Sequence, residues 1–394
     1  MAINQLKVPG KVFSGNDSYL KLNDIIAAEA VKAVILITDK GIEGAGITAP
    51  VLELLDAAGV NTQIFYHVQA EPTYNDVTQL VNEIGDAAAD YIVAVGGGSV
   101  LDVAKLVSVL KGASYSIENL LETPGIAKKQ VKAVLIPTTC GTGSEATCNA
   151  IVGVPEKGIK IGIVNDELIP DVAILDAGFV KKLPQKHLAA AAVDALCHCV
   201  ECYTSNKANA FSDLFAAEGA KLIFHNIREA YADAANLDAR AQLLIGSFYG
   251  GVAITSSGTT AVHALSYPLG GEFHIPHGVA NAILFEKVMR VNKPDITNEL
   301  AALCDAAYPQ QAALSAEEKA EFIIEEIADI VKKLEIPADL SGFGVQLKDL
   351  DFLVEAGSGV RRLLDNNKRA LTKEEITDIY LSVLNEQTGG EENE

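Results

Sequence analysis

The sequence has no tryptophan and only two methionines, and aromatic residues make up 6 % of it. Any core must therefore be mainly aliphatic, and with 49 % hydrophobic residues over 394 positions there is ample material for one. Positive charge is scarce: 31 Lys and Arg stand against 52 Asp and Glu, a net charge of −21. That balance argues against nucleic acid and against anionic membrane surfaces, both of which attract basic patches. No apolar run reaches the length of a membrane span, and no basic stretch followed by an apolar one opens the chain. The six cysteines (140, 148, 197, 199, 202 and 304) show no secreted-scaffold spacing, so a reducing cytoplasm is the expected compartment. Histidine is rare too, seven in all, and its distribution is correspondingly informative.

Three of those histidines, His263, His274 and His277, fall within fifteen residues, in AVHALSYPLGGEFHIPHG. A fourth, His198, follows Asp194 at i+4 in the apolar run AAAAVDALCHCVECY. On a helix that spacing puts a carboxylate and an imidazole on one face, a turn apart. A lone histidine on an apolar helix is more often a satisfied core residue, but this cluster is denser than chance. One carboxylate and up to three imidazoles suit Fe, Zn, Ni or Mn rather than Ca. Cys197, Cys199 and Cys202 crowd the same stretch and suggest a soft site. Cys199 lies off the Asp194/His198 face and the other two flank it on opposite sides, so all three read as small core residues.

The first half alternates between strand and helix patterns. Strands are expected at 11–15 (an edge), 32–38, 61–68, 90–99, 133–139 and 172–176, with a hairpin over 150–164 turning at Pro155–Gly158. Helices are expected at 47–59, 75–89 and 101–112. Such alternation implies a parallel sheet with helices on both faces. After about residue 183 nearly everything has helical period, and Ser315–Glu318 and Thr372–Glu375 match capping boxes. The expected organisation is an α/β domain over 1–182 and an all-helical domain over 183–394, with the acidic tail NEQTGGEENE frayed.

Two glycine-rich turns follow strands of the first half. Gly96-Gly97-Gly98-Ser99 runs from a strand into a helix, where backbone N–H groups and the helix terminus favour an anion. It is not the usual dinucleotide fingerprint, whose third glycine would fall at Leu101. The second turn is Thr138-Thr139-Cys140-Gly141-Thr142-Gly143-Ser144-Glu145. Either alone serves a tight turn equally well; two at the carboxyl ends of one sheet point to a phosphate-bearing ligand. Asp39, directly after the second strand pattern, is placed to accept from both ribose hydroxyls of an adenosine and to repel a 2′-phosphate, or else is an ordinary helix cap.

Five stretches, GGGSVLDVAK (96–105), IPTTCGTGSE (136–145), DALCHCVE (194–201), HALSYPLGGEFHIPHG (263–278) and RLLDNNKRALTKEEITDIY (362–380), together resemble the iron-containing (group III) alcohol dehydrogenase family, collinearly over nearly the whole chain. The resemblance implies an N-terminal nucleotide-binding α/β domain and an all-α C-terminal domain, the dehydroquinate synthase-like architecture, with the active site between them. It implies one divalent metal, Fe²⁺ with Zn²⁺ as alternative, held by Asp194, His198, His263 and His277. It assigns NAD(H) to Gly97, Gly98, Ser99 and Asp102 of the first loop, to Thr138, Thr139 and Thr142 of the second, to Asp39, and to Lys160 on the hairpin. A small alcohol or aldehyde is the implied substrate, and a homodimer through the N-terminal edge strand the expected assembly.

The chain departs from the family pattern in places. Where the family often has a further histidine four residues after the first of this segment, Tyr267 stands, which leaves Tyr267, His274 or the cofactor ribose to pass the proton. Ala192-Val193 replaces a Thr-Gly or Ser-Gly, and Asn367-Lys368-Arg369 an Asn-Pro-Arg. An alcohol oxygen at the open position of a divalent ion has its pKa lowered, and hydride then passes to the nicotinamide. A metal- and NAD-dependent lyase like dehydroquinate synthase would need several Lys and Arg in the cleft, and these loops are poor in both. A non-catalytic binding protein would have no reason to keep four polar ligands in an apolar surround.

Overall fold

The computed structural model describes residues 3–157 and 159–384. Gly158, in the expected hairpin turn, and the tail expected to fray lie outside the described residues. Among the described residues there are eight strands: β1 Lys11–Ser14, β2 Ala33–Ile37, β3 Asn61–Phe65, β4 Tyr91–Gly96, β5 Lys132–Pro137, β6 Asn149–Val154, β7 Ile159–Val164 and β8 Val172–Leu175. Six of them form one parallel sheet in the order β1-β8-β5-β4-β2-β3, and β6 and β7 pair antiparallel. β1 is at an edge, as its pattern suggested. Buried strands show why the patterns are so continuous. In β2, Val34 and Leu36 pack into one apolar cluster, while Ile35 and Ile37 pack into the cluster on the opposite face.

The helices of this half are α1 Lys21–Glu29, α2 Lys40–Gly44, α3 Ala49–Ala57, α4 Tyr74–Ile84, α5 Gly98–Leu110, α6 Ile117–Glu122 and α7 Ala177–Val180. α1, α2, α6 and α7 have no counterpart in the sequence reading. They are short and weakly patterned; α6 is announced only by the cap at Ser116, whose side chain accepts from the Asn119 N–H.

From residue 185 on the described chain is helical: α8 Gln185–Tyr203, α9 Ala210–Ala232, α10 Leu237–Ser256, α11 Ala261–Phe273, α12 His277–Ala307, α13 Ala316–Lys333, α14 Leu350–Gly359, α15 Arg361–Leu364 and α16 Lys373–Leu381, with short 3₁₀ turns between some of them. Both expected capping boxes form, at the starts of α13 and α16. The six cysteines are free and buried, as core residues. In Asn367-Lys368-Arg369, Asn367 exchanges amide hydrogen bonds with Asn292 at 2.9 Å, Arg369 pairs with Asp295 and Glu375, and the departing Lys368 pairs with Glu299. Among the described residues no helix is long and apolar enough to cross a membrane.

The sheet order places the strand reversal at β4. The chain runs outward from β2 to β3, then returns to add β4 and β5 on the other side of β2. Crevices for ligands open at the carboxyl ends of strands at such a reversal, and both glycine turns leave from there.

Candidate metal and cofactor site

α8 carries Asp194 and His198 one turn apart on a face that is fully covered, both less than a tenth exposed. α11 brings His263, and His277 opens α12. Asp194 Oδ1 is the common centre: Nε2 of His263 lies 3.5 Å away, that of His277 3.6 Å and that of His198 3.8 Å. Asp194, His263 and His277 have their donor atoms within 4.8 Å of one another and form a possible metal-binding triad; His198 stands just outside that closest grouping, its ring stacked on His263 at 4.7 Å.

Burial opposes ionisation of Asp194, but the charges of His198 and His277 and a hydrogen bond from His263 hold it well below the usual carboxylate range. Burial likewise pushes His198 down, and takes His277 to about 4 with help from the charges of His263, His198 and Lys160. His263 moves the other way, to about 9, because Glu201 and Asp194 outweigh its burial.

Two residues of this centre were not singled out by the sequence reading. Glu201, seven residues after Asp194 on α8, is fully buried. One of its oxygens accepts from Thr260 Oγ1 at 2.7 Å and Val262 N at 2.6 Å, while the other faces His263 Nδ1. This fixes the proton on Nδ1 and leaves Nε2 as the donor aimed at the centre. The spacing Asp194–His198–Glu201 at i, i+4, i+7 is the signal that could have found it. Asn281, four residues after His277, puts its amide nitrogen 2.7 Å from Asp194 Oδ1 and 3.2 Å from Nε2 of both His263 and His277. One carboxylate oxygen and two ring nitrogens thus crowd a single amide group that has two hydrogens, while Asn281 Oδ1 is buried without a partner. A cation answers that donor set better, so the residues fit a divalent metal.

Of the two candidate proton carriers, only Tyr267 belongs to this cluster. Its ring centroid is 6.1 Å from that of His277, and burial pushes its hydroxyl up, partly offset by Arg362. His274 instead terminates α11 in the left-handed conformation, φ 54°, with its side chain exposed. No hydrogen bond or ring contact ties it to the cluster among the described residues.

The glycine loops face each other. A Cβ on Gly98 would fall 2.6 Å from Thr142 Cγ2, and one on Gly97 3.4 Å from Thr139 Cγ2. The second loop also leans on the metal helix: a Cβ on Gly141 would meet Ala191 at 2.9 Å, one turn before Asp194. Thr138 is buried with its hydroxyl unpartnered. Ser99 donates to the Ala70 carbonyl, and Lys160 pairs with the neighbouring Glu71 at 2.7 Å. Asp39 caps α2, accepting from Ile42 N at 2.9 Å through one oxygen. Asp102 spends both oxygens inside the protein, on Ser144 Oγ and Lys105 Nζ through one and on Ile151 N through the other. It positions the second loop rather than facing outward.

Residues 9–177 match the iron-containing alcohol dehydrogenase family, and residues 188–384 match the C-terminal family of the Fe-containing alcohol dehydrogenases. The chain belongs to the iron-containing alcohol dehydrogenase family. It is 34 % identical to long-chain-alcohol dehydrogenase 1 of Geobacillus thermodenitrificans, over 89 % of each chain. It superposes on the crystal structure of a 1,3-propanediol oxidoreductase with a TM-score of 0.91 at 29 % identity, covering 97 % of this chain and 100 % of that one. The sulfoacetaldehyde reductase of Bifidobacterium kashiwanohense, solved in complex with NAD⁺, is similar with a TM-score of 0.87 at 25 % identity, over 97 % and 99 %. The relatives are alcohol dehydrogenases and aldehyde reductases, and this chain is an oxidoreductase of that kind.

Proposed function

We propose that the chain transfers hydride between NAD(H) and a small primary alcohol, diol or hydroxy acid, using a divalent metal held by Asp194, His198, His263 and His277. The observation that carries this reading is the convergence of those donors on Asp194 Oδ1 beside two facing glycine loops. Fe²⁺ is the ion the family name favours, with Zn²⁺ the alternative the same donors accept. NAD(H) rather than another cofactor is supported by the NAD⁺ complex of the sulfoacetaldehyde reductase relative.

A bound divalent ion supplies Lewis acidity, lowering the pKa of an alcohol or polarising a carbonyl. The protein does the rest. Glu201 holds His263 in the tautomer that donates from Nε2. Gly97, Gly98 and Ser99, with Thr138, Thr139 and Thr142, line a phosphate cradle at the α5 N-terminus, and Lys160 stands toward the ribose. Asp39 has an oxygen beyond its capping bond for the ribose hydroxyls, and its charge disfavours a 2′-phosphate. Tyr267, beside His277, is the side chain best placed to pass the proton outward. We place residues 1–182 in the cofactor domain and 183–394 in the metal domain, and assign the chain to the cytoplasm as a homodimer through the open edge of β1.

The test is reduction of a short aldehyde followed by nicotinamide absorbance. NADH should be preferred to NADPH, and Asp39→Gly should narrow the preference. His263→Ala should lose metal and activity while the helical content persists. A wild type with higher kcat/KM for NADPH, or a His263→Ala protein with full metal content, overturns the assignment.

A further inference from the structure

The sequence contains six arginines. Arg228, Arg290, Arg361 and Arg369 are paired with carboxylates, and Arg240 is buried against the carbonyls of Val180, Lys181 and Leu183. Arg362 is different: among the described residues no carboxylate lies within ion-pair distance of it, in a chain whose net charge is −21. Its place is also specific. From α15 the guanidinium reaches β7, with Nη2 3.9 Å from where a Gly162 Cβ would stand, and it lies near enough to Tyr267 for its charge to oppose the upward push of burial on that hydroxyl. Tyr267 in turn neighbours ligand His277. Lys160 lies two residues before Gly162 on β7, hence on the same face, and its charge is felt at His277.

Guanidinium groups bind carboxylates and sulfonates through paired, charge-assisted hydrogen bonds. Arginine is donor-only, and a phenol oxygen can accept from it while keeping its own proton to give. Beside the candidate metal donors there is thus a cation without a carboxylate partner among the described residues, and a hydroxyl near it. We propose that Arg362 and Tyr267 form an anion subsite, so that the substrate is a short aldehyde or alcohol carrying a carboxylate or sulfonate at its far end. This rests on the alcohol dehydrogenase reading and narrows it.

The experiment compares 4-oxobutanoate with butanal, nearly isosteric and differing in charge, with 2-oxoethanesulfonate as the sulfonate arm. Wild type should favour the anionic aldehyde. In Arg362→Gln, kcat/KM for 4-oxobutanoate should fall roughly 10- to 100-fold more than for butanal, mostly through KM, as expected for loss of one charged hydrogen-bonded pair. Arg361→Gln, which removes the neighbouring arginine paired with Asp365, should leave that ratio unchanged. Calorimetric titration of the holoenzyme with butanoate gives a readout independent of turnover: binding by wild type and its loss in Arg362→Gln support the subsite. Equal losses for the two aldehydes, a wild-type preference for butanal, or butanoate binding that survives in Arg362→Gln overturn it. If neither aldehyde is reduced, the dehydrogenase reading fails while the titration still decides the subsite.

Discussion

Glu201 is the residue on which the donor geometry of His263 depends. A carboxylate can accept from Thr260, Val262 and His263 at once; a glutamine cannot. Its amide nitrogen would face either the Val262 N–H or the His263 Nδ1–H, donor against donor. Glu201→Gln should therefore weaken metal binding about 10- to 100-fold, the usual cost of losing a partner behind a ligand imidazole, measured by competition with a chelator. Unchanged affinity would remove Glu201 from this role. His274 carries the opposite expectation. It is exposed and holds a left-handed φ of 54° at the end of α11, a conformation asparagine tolerates. His274→Asn should keep both kcat and its pH profile. A fall of ~10²-fold with loss of one limb would make it the proton carrier after all.

At the scale of elements, the second glycine loop is held by close approach on one side and by a buried lysine on the other. Gly143 sits at φ 59° against α10, where a Cβ on Gly251 would fall 2.3 Å from the Gly143 carbonyl and 3.0 Å from Ala146 Cβ. From the other side Lys105, fully buried on α5, donates to Ser144 O and Thr147 Oγ1 at 3.0 Å and pairs with Asp102. Gly251→Ala must push backbone against backbone. It should destabilise the protein by roughly 1–3 kcal/mol, the cost of overpacking, seen as a lower urea midpoint, and it should raise the KM for NADH because the loop moves. If stability falls but the KM does not, the loop is not part of the cofactor site. α11 shows the same dependence on context. It includes Pro268, Gly270 and Gly271 yet stays helical from Ala261 to Phe273, because packing of Val262, Leu265 and Leu269 into the helical core outweighs poor propensity.

In the whole molecule, the candidate metal donors come from three helices of one core, and α8 and α10 brace the second glycine loop. Those helices are packed by aliphatic burial independent of any ion. Chelation should accordingly strip activity and leave far-UV circular dichroism intact. Tm should fall, because a ligand that binds only the folded state stabilises it, by about 4 kcal/mol at a thousandfold excess over Kd, and metal should restore it. Unfolding of the helical half on chelation would contradict this account.

The alternation of apolar strands with helices, the switch to helical period near residue 183 and the i, i+4 pair on α8 are local patterns, so the sequence alone determined the fold class, most of the elements and the placing of Asp194 and His198 on one helix face. The glycine loops were legible as loops for the same reason. What required the tertiary structure was every relation between distant segments. Asp194 and His263 are 69 positions apart, and only the packing of α8 against α11 and α12 brings their atoms within 3.5 Å. Glu201 looked like any helix acid until Thr260, Val262 and His263 closed around it. Asp102 and Arg362 exchanged expectations in the same way. The first, in a cofactor motif, turned inward to a buried lysine. The second, unremarked in a charged C-terminal stretch, has no carboxylate partner among the described residues and stands near Tyr267. A side chain's partners are set by which surfaces pack together, and no local periodicity records that.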